Sequence, residues 1–279
     1  MNVDLASAIQ ENIRAALAED IGSGDLTARL IPAEKTATAA VISREAAVLC
    51  GVAWFDGCFR QLDPQIEIEW FARDGDPVAA NLMLCEIRGN ARAMLSAERP
   101  ALNFLQTLSA TATITRRFVE AVAGTGASIL DTRKTLPGLR LAQKYAVRCG
   151  GGQNQRVGLF DGILIKENHI MVAGGIESAL KQAAALAPSG VPIQIEVETP
   201  DELREALRAG ARLILLDNFT LPDLAEAVRT AGKQAVLEAS GGITLDNVRA
   251  VAQTGVHRIS VGSLTKDVKA VDLSLRLKI

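Results

Sequence analysis

The segment IQIEVETPDELREALRAGARLILLD, residues 193–217, predicts a strand, then a helix, then a second strand. The first strand covers IQIEVE, and the second covers LILLD, which is apolar on both faces. Thr199 stands just before the helical stretch 201–209, where its hydroxyl can cap the helix. Two strands joined through a helix pair in parallel, because the helix carries the chain back to the edge where the first strand began. The segment therefore predicts a parallel sheet of the α/β class.

The same alternation of short strands and helices extends over residues 113–268. So many successive units predict an α/β barrel, complete or open, with a doubly wound open sheet as the alternative. The predicted strands are 128–131, 162–166, 193–198, 213–217, 235–240 and 258–262. The predicted helices lie near 176–187, 201–209, 222–231 and 244–254.

The first part of the chain has a different pattern. An amphipathic helix is predicted over 4–18, and short β-rich pieces separated by turns follow within 37–89. A long helix is predicted over 91–123, in which we expect Pro100 to introduce a kink or a break. The chain ends in an alternating segment that predicts an edge strand. The predicted domains are an N-terminal α/β sandwich of residues 1–112, joined by 269–279, and a barrel of residues 113–268.

Composition excludes several classes of protein. The chain has 279 residues, of which 48% are hydrophobic and 22% charged, as in an ordinary globular protein. A net charge of −2 and an aromatic content of 4% do not favour nucleic acid or an anionic membrane as a partner. We expect a cytoplasmic protein, because neither a signal sequence nor a long apolar run is present. Four widely spaced cysteines predict small buried side chains rather than a disulfide framework.

Residues 131–169 are unusually basic. The segment DTRKTLPGLRLAQKYAVRCGGGQNQRVGLFDGILIKENH contains seven Lys and Arg residues against three carboxylates. Three of the cations, Arg140, Lys144 and Arg148, recur every four residues, which predicts a solvated helix face. The other four flank glycine-rich turns or end an apolar run, which indicates a site for a small anion. These four are Arg133, Lys134, Arg156 and Lys166.

Polar residues or glycine follow every predicted barrel strand. The active sites of α/β barrels form at the carboxyl ends of the strands, and loops after the final strands commonly bind phosphate. We therefore expect Glu198 and Asp217 to bind ribose hydroxyls or Mg²⁺, with neutralisation of Arg133 or Lys166 as the alternative. The residues at the strand ends are Asp131, Lys166, Glu198, Asp217, Ser240 and Gly262. The candidate phosphate-binding residues are Ser240, Gly241, Gly242, Gly262 and Ser263.

Ordered motifs along nearly the whole chain resemble those of the quinolinate phosphoribosyltransferases, which are decarboxylating enzymes. The resemblance implies an N-terminal sandwich and an open α/β barrel of the type II phosphoribosyltransferase kind. It also implies a homodimer or larger homo-oligomer with shared active sites. The motifs are EDIGSGDLT (19–27), SAERPALNFLQTLSATAT (96–113), DTRKTLPGLR (131–140), KYAVRCGGGQNQRVGL (144–159), LIKENH (164–169), EVE (196–198), LLDNF (215–219), SGGI (240–243) and VGSLT (261–265).

The resemblance also implies substrates and residue roles. Quinolinate and phosphoribosyl pyrophosphate are the implied substrates, and Mg²⁺ is the implied cofactor, bound through the substrate and through Glu198 and Asp217. Lys134 is implied to contact the phosphoribosyl donor, and Arg99 to enter the site from the partner subunit. The residues implied to bind quinolinate are Arg99, Arg133, Gln155, Arg156 and Lys166. The residues implied to be catalytic are Lys134, Lys166, Glu198 and Asp217. Those implied to bind the donor are Lys134, Glu198 and Asp217, with the phosphate loops named above.

One position departs from the family pattern. The family usually has His in the triplet where this chain has Asn154, Gln155 and Arg156. Glutamine donates a hydrogen bond but cannot carry a proton near neutral pH, so imidazole acid–base chemistry is not expected here.

Two other functions remain open on the sequence alone. An aldolase-like barrel would use Lys166 as a Schiff-base lysine. A non-catalytic or transport-associated paralogue would bind a phosphometabolite without turning it over, and Gln155 is the residue that raises this alternative.

Overall fold

The computed structural model describes residues 4–278, which fold into two compact units. The first unit contains residues 4–116, 135–151 and 265–278. The second contains Arg117–Lys134 and Gly152–Leu264. The sequence assigned residues 113–268 to a single barrel domain, whereas the structure places residues 135–151 with the first unit. The domain boundaries given from the sequence, 1–112 with 269–279 and 113–268, stay a prediction.

The helices and strands of residues 4–278 alternate in the second half of the chain. The helices are α1 (Leu5–Ile21), α2 (Val52–Leu62), α3 (Ala91–Ala121), α4 (Arg140–Cys149), α5 (Glu167–Ala173), α6 (Ile176–Leu186), α7 (Pro200–Arg208), α8 (Leu221–Ala231), α9 (Val248–Gln253) and α10 (Ser263–Lys266), with a 3₁₀ turn at Ala28–Leu30. The strands are β1 (Thr36–Ser43), β2 (Ala47–Val48), β3 (Glu67–Trp70), β4 (Pro77–Val78), β5 (Met83–Asn90), β6 (Ser128–Leu130), β7 (Ile163–Ile165), β8 (Ile193–Val197), β9 (Leu213–Asp217), β10 (Val236–Ser240), β11 (Arg258–Ser260) and β12 (Leu273–Lys278).

An antiparallel sheet is the centre of the first unit. Its order in the described residues is β12-β1-β5-β3, and the register of β1 with β12 runs from Thr38↔Lys278 to Ser43↔Leu273. The C-terminal strand therefore returns to the edge of this sheet, as its alternating pattern predicted. The apolar faces of α2, β5 and α3 form a core, with side chains 0–1% exposed at Trp54, Phe55, Phe59, Leu84, Ile87, Leu102, Leu105 and Leu108.

A parallel sheet is the centre of the second unit. Among the described residues its order is β6-β11-β10-β9-β8-β7, and all its strand pairs are parallel. The edge strands β6 and β7 do not pair with each other in this part of the chain, so the sheet is open. The α/β class with a sheet-based N-terminal part and an open parallel sheet is thus confirmed. The helix α7 begins at Thr199, whose hydroxyl accepts a hydrogen bond from the Glu202 amide while the Glu202 carboxylate accepts one from the Thr199 amide.

Two expectations about helices need correction in part. The break expected at Pro100 is wrong, because α3 continues through this residue, while the kink stays a prediction. In α4, the predicted solvated face is wrong for Lys144, which is only 3% exposed, while Arg148 is exposed and Arg140 is half-buried. Four-residue spacing shows which side chains share a face of a helix, but it does not show whether that face points to water.

Cysteine burial agrees with the sequence prediction. Cys50, Cys58 and Cys85 are buried, Cys149 is partly exposed, and all four are free thiols. Within residues 4–278 no helix combines the length and the apolar composition that crossing a membrane requires.

Replacing Gly150 by alanine is expected to destabilise the first unit. A Cβ at this position would lie 2.5 Å from the carbonyl oxygen of Ala112 and 2.6 Å from Cβ of Thr115, both on α3. Because a backbone oxygen cannot move aside cheaply, we expect a loss of about 3 kcal/mol in the free energy of unfolding, measured by denaturant titration. The control is Gly174→Ala, since Gly174 lies in the left-handed helical region with φ +85° and has open space around it. That variant should lose only about 1 kcal/mol. Equal losses in the two variants would contradict the steric explanation.

Candidate active site

The carboxyl ends of the parallel strands bring the predicted polar residues to one edge of the sheet. Asp131, Lys166 and Glu198 directly follow β6, β7 and β8. Asp217 and Ser240 end β9 and β10 and are paired across the two strands. Gly262 follows β11 after one intervening residue. Because all six strands are parallel, the predicted strand-end residues occupy a common edge in the second unit.

Lys166 is paired at this edge with a carboxylate that the sequence did not assign to it. Its Nζ donates to both carboxylate oxygens of Glu196, at 2.9 and 2.6 Å. The register explains the contact: Ile165 is paired with Ile195, so the residues that follow them lie side by side. The Lys166 side chain is 47% exposed and that of Glu196 is 12% exposed. The salt bridge with Glu196 occupies the side-chain nitrogen of Lys166, which disfavours its aldolase-like use, since a Schiff-base lysine attacks through a free amine.

Two arginines in the second unit are close enough to repel each other. The pKa of Arg156 is lowered by burial and by the positive charge of Arg133, while Asp161 acts in the opposite direction. Nη1 of Arg156 donates to the carbonyl of Gly162 at 2.9 Å. Its Nε is buried and has no hydrogen-bond partner among the described residues. A donor held in this way, next to a second guanidinium, suits a carboxylate ligand.

Lys134 lies over the loop that follows β11. A Cβ added to Gly262 would be 3.2 Å from Cδ of Lys134 and 4.0 Å from its Nζ. The amide of Lys134 donates to the hydroxyl of Thr132 at 3.0 Å, which fixes the backbone after β6. The glycine thus leaves room for the lysine side chain beside Gly262 and Ser263, two of the predicted phosphate-binding residues.

The loop after β10 requires glycine. Gly241 has φ +98°, and a Cβ there would lie 2.1 Å from Oδ1 of Asn218. The amide of Asn218 donates to the carbonyl of Ser240 at 2.9 Å, so the loops after β9 and β10 are held against each other. Gly242, at φ +59°, follows in the left-handed region and is exposed. The backbone here is close-packed on one side and open on the other, as a phosphate-binding loop needs.

Four carboxylates lie together beside these loops. The pKa of Glu198 is raised, first by a hydrogen bond with Glu167 and the charge of that residue, and further by Glu202 and Asp217. The Glu198 amide donates to Glu202 at 2.7 Å. Since Val197 is paired with Leu216, the next residues, Glu198 and Asp217, come side by side at the strand ends. Mutual repulsion among exposed carboxylates favours the binding of a cation.

Gln155 belongs to a buried polar network inside the sheet. Its Nε2 donates to Gln194 and to Glu238, each at 3.4 Å, and Gln194 donates to Glu238 at 2.9 Å. Ser260 also donates to Glu238, which is 1% exposed. The Gln155 amide donates to buried Asp131 at 2.9 Å. Gln155 is therefore positioned as a hydrogen-bonding residue by Gln194, Glu238 and Asp131.

The remaining predicted residue lies in the first unit. Arg99 is exposed on α3. Its neighbour Glu98 has a pKa that burial raises and that the positive charge of Arg99 lowers. An exposed position on a helix is the location that a residue donated to a neighbouring subunit would need.

Comparison with known proteins identifies the family. Residues 25–109 match the model of the quinolinate phosphoribosyl transferase N-terminal domain, and residues 111–276 match the model of its C-terminal domain. The chain belongs to the quinolinate phosphoribosyl transferase family.

Individual members of the family are similar over nearly their whole length. A probable nicotinate-nucleotide pyrophosphorylase (carboxylating) of Bacillus subtilis is 42% identical over 257 residues, covering 92% of this chain and 89% of that protein. A quinolinate phosphoribosyltransferase (decarboxylating) of Nicotiana tabacum is 39% identical, covering 96% of this chain and 82% of that protein. The solved structure of the nicotinate-nucleotide pyrophosphorylase from Francisella tularensis matches with a TM-score of 0.96 at 46% identity, covering 99% and 98% of the two chains.

Sequence reasoning missed three residues of this candidate site. Glu196 was read only as part of the strand IQIEVE, yet it pairs with Lys166. Gln194 and Glu238 were read as parts of strands, yet they hold Gln155. A signal was present in the sequence, because polar residues in the middle of strands that are otherwise apolar need hydrogen-bond partners inside the sheet.

Removing the charge of Glu167 is expected to lower the pKa of Glu198 towards its ordinary value of 4.5. A folded-state pKa above the unfolded one gives stability that is present at low pH and lost as the pH rises through the folded value. The Glu167→Gln variant should therefore lose less stability than the parent as the pH rises above about 4.5. Carboxyl-carbon NMR titration measures the pKa directly. The control is Glu177→Gln on α6, which should leave the pKa of Glu198 unchanged. If the pKa of Glu198 also stayed unchanged in Glu167→Gln, Glu167 would not be the cause of its rise.

Proposed function

We propose that this protein transfers the phosphoribosyl group of phosphoribosyl pyrophosphate to quinolinate. Decarboxylation accompanies the transfer, so the products are nicotinate mononucleotide, pyrophosphate and CO₂, as in NAD biosynthesis. The observation that carries the proposal is the common edge of the parallel sheet, where cations, carboxylates and glycine loops occur together in a member of the quinolinate phosphoribosyl transferase family.

Quinolinate is a dianion whose two carboxylates are on adjacent ring carbons. We assign their binding to Arg133, Arg156 and Lys166, with Gln155 as a neutral donor. The buried Nε of Arg156 and the neighbouring charge of Arg133 favour a carboxylate ligand. Lys166 already contacts Glu196, so its ammonium group is held in a fixed direction. Fixed cations of this kind align the ring nitrogen for attack at the sugar.

The phosphoribosyl donor is assigned to residues at the ends of β8, β9, β10 and β11, together with Lys134 after β6. Ser240, Gly241, Gly242, Gly262 and Ser263 would bind the 5′-phosphate, and Lys134 would bind phosphate oxygens. Glu198 and Asp217 would bind the ribose hydroxyls. A hydrogen bond with Glu167 and the charges of Glu167, Glu202 and Asp217 raise the pKa of Glu198, and a group of carboxylates of this kind suits a divalent cation such as Mg²⁺. When bound, Mg²⁺ would neutralise charge on the pyrophosphate leaving group.

The reaction needs charge stabilisation more than a nucleophilic side chain. As the bond from ribose C1 to pyrophosphate breaks, positive charge develops on the sugar and negative charge on the leaving group. Glu198 and Asp217 stabilise the first, and Lys134 stabilises the second. Loss of CO₂ then leaves a carbanion beside the ring nitrogen, which is quaternary and positive after the transfer, and a proton from solvent water gives the mononucleotide. This route assigns no proton transfer to Gln155, consistent with a side chain that cannot carry a proton.

The direct test is to incubate the protein with quinolinate, phosphoribosyl pyrophosphate and Mg²⁺ and to look for nicotinate mononucleotide. Product supports the proposal. Binding of both substrates without pyrophosphate release would instead favour the non-catalytic paralogue.

Removing either of two quinolinate-binding cations is expected to reduce turnover strongly. Arg133→Ala and Lys166→Ala should each reduce kcat/KM by about 10²-fold or more, because each loses a charge-assisted contact to the dianion. Circular dichroism should show that the fold is retained. The control is Lys181→Ala, which removes an exposed lysine that pairs with Glu177 on α6. Parental activity in either site variant would remove that residue from the proposed site.

We also propose a homodimer or larger homo-oligomer with shared active sites. Large apolar side chains are exposed around the open edge strand β7, with exposures between 58% and 83%. A groove of about 610 Å³ lies along the same strand. An unpaired edge strand with an apolar surround is the kind of surface that a second chain covers. These side chains are Leu159, Phe160, Met171, Val172 and Leu186. We place the assembly in the cytoplasm.

Mixing two inactive variants is expected to restore activity if Arg99 enters the neighbouring site. Arg99→Ala and Lys166→Ala should each be inactive alone. After unfolding and refolding together, a mixed dimer has one site with both residues intact, so about a quarter of the parental activity should return. Mixing Arg133→Ala with Lys166→Ala is the control and should restore nothing, because both residues are assigned to the same chain's site. No recovery in the first mixture would contradict the donation of Arg99.

A further inference from the structure

Three segments of the first unit bring two distant cysteines together. Cys50 precedes α2, Cys149 ends α4, and Asp74 lies in the turn between β3 and β4. The two sulfur atoms and a carboxylate oxygen of Asp74 all lie within 4.8 Å of one another. The proposed transferase reaction uses none of these three residues, so the cluster needs a separate explanation.

Asp74 has a structural role in this cluster. Its Oδ1 accepts hydrogen bonds from the amides of Gly51 at 2.9 Å and Val52 at 3.1 Å, at the start of α2. Its other oxygen accepts the hydroxyl of Tyr145 at 2.8 Å. Both carboxylate oxygens are thus engaged within the protein, which disfavours a metal ion as the reason for the cluster. The thiol pair is what remains.

The two thiols differ in acidity. Cys50 is 0% exposed, and burial raises its pKa well above the ordinary value. Cys149 is partly exposed, and a hydrogen bond from Cys50 lowers its pKa, assisted by the charge of Arg148 against the effects of burial and Asp74. The thiolate is the reactive form of cysteine. Cys149 is therefore the nucleophile of the pair, and Cys50 is a protonated neighbour.

We propose that Cys149 and Cys50 are a modification site that reacts with a hydroperoxide and closes to a reversible disulfide. The Cys149 thiolate attacks one peroxide oxygen, the O–O bond breaks, and the leaving oxygen takes a proton to become water or an alcohol. The sulfur is oxidised by two electrons to a sulfenic acid, and the peroxide is reduced. The Cys50 sulfur then attacks the Cys149 sulfur, and hydroxide leaves with the Cys50 proton as water.

Geometry permits both steps. A cleft of about 870 Å³ reaches the Asp74 and Tyr145 side of the cluster, which gives a small oxidant a route towards it. A disulfide needs sulfur atoms about 2 Å apart, so the sulfurs must approach each other by at most roughly 3 Å. Cys149 is the last residue of its helix, and Gly151 just beyond it has φ +90°. The chain therefore changes direction next to the residue that must move.

The test uses the reduced full-length protein, treated with hydrogen peroxide and then blocked with an alkylating reagent. We expect a mass loss of about 2 Da before blocking and a linked Cys50–Cys149 peptide after it, both reversed by dithiothreitol. The Cys50→Ala variant should accumulate a Cys149 sulfenic acid that dimedone labels. The Cys149→Ser variant should form no disulfide. The matched control is Cys58→Ser, because burial raises the pKa of the Cys58 thiol to about 12 and this residue lies outside the cluster.

A measurement on the unmodified chain guards against misfolded variants. Under native conditions, alkylation at Cys149 should be at least about tenfold faster than at Cys58. The proposal is overturned by equal alkylation rates, by a disulfide that involves Cys58 or Cys85, or by oxidation of Cys149 to the sulfinic acid without a linked peptide.

Discussion

The parallel pairing of all six strands from β6 through β11 is the constraint on which the site depends. Because every strand of this sheet runs in the same direction, the residue after each strand lies at the same edge. Register then decides which side chains meet. The pairing of Ile165 with Ile195 brings Lys166 to Glu196, and the pairing of β9 with β10 places Asp217 opposite Ser240. The sheet thus arranges side chains that are up to about 130 residues apart in the chain, such as those after β6 and β11.

Charges of the same sign are held close together at this edge. Arg133 lowers the pKa of Arg156, and Glu167 raises the pKa of Glu198. Neither arrangement favours the folded chain by itself, because each costs repulsion between like charges. Both favour a ligand that presents negative charge to the arginines and positive charge, or a bound cation, to the carboxylates. Repulsion of this kind is common where a fold has been shaped by its ligand.

Much of the fold followed from local patterns. Alternating strands and helices predicted the parallel sheet because hydrophobic periodicity and helix capping act over a few residues, as at Thr199 and Glu202. The final strand was predicted by its alternating residues, and its position beside β1 confirms that prediction. The family motifs predicted more than periodicity could, because they indicated candidate site residues on strands that are distant in sequence.

What the sequence could not provide was the partner of each side chain. Helical spacing placed Lys144 on the same face of α4 as Arg148, but in the folded chain Lys144 is buried. The pairs Lys166–Glu196 and Gln155–Glu238 depend on strand register, which spacing alone does not fix. Cys50 and Cys149 were read as unrelated buried residues, and only the tertiary fold brings their sulfur atoms together.

The central claim is that the cations at the edge of the sheet recognise two adjacent carboxylates on one ring. The most direct measurement is calorimetric titration of the full-length protein with quinolinate and with nicotinate, which has one carboxylate. Two carboxylates engage more charge-assisted contacts than one, so quinolinate should bind more tightly by at least about tenfold. Equal affinities for the two ligands would contradict the account, because the site would then not distinguish a dianion from a monoanion.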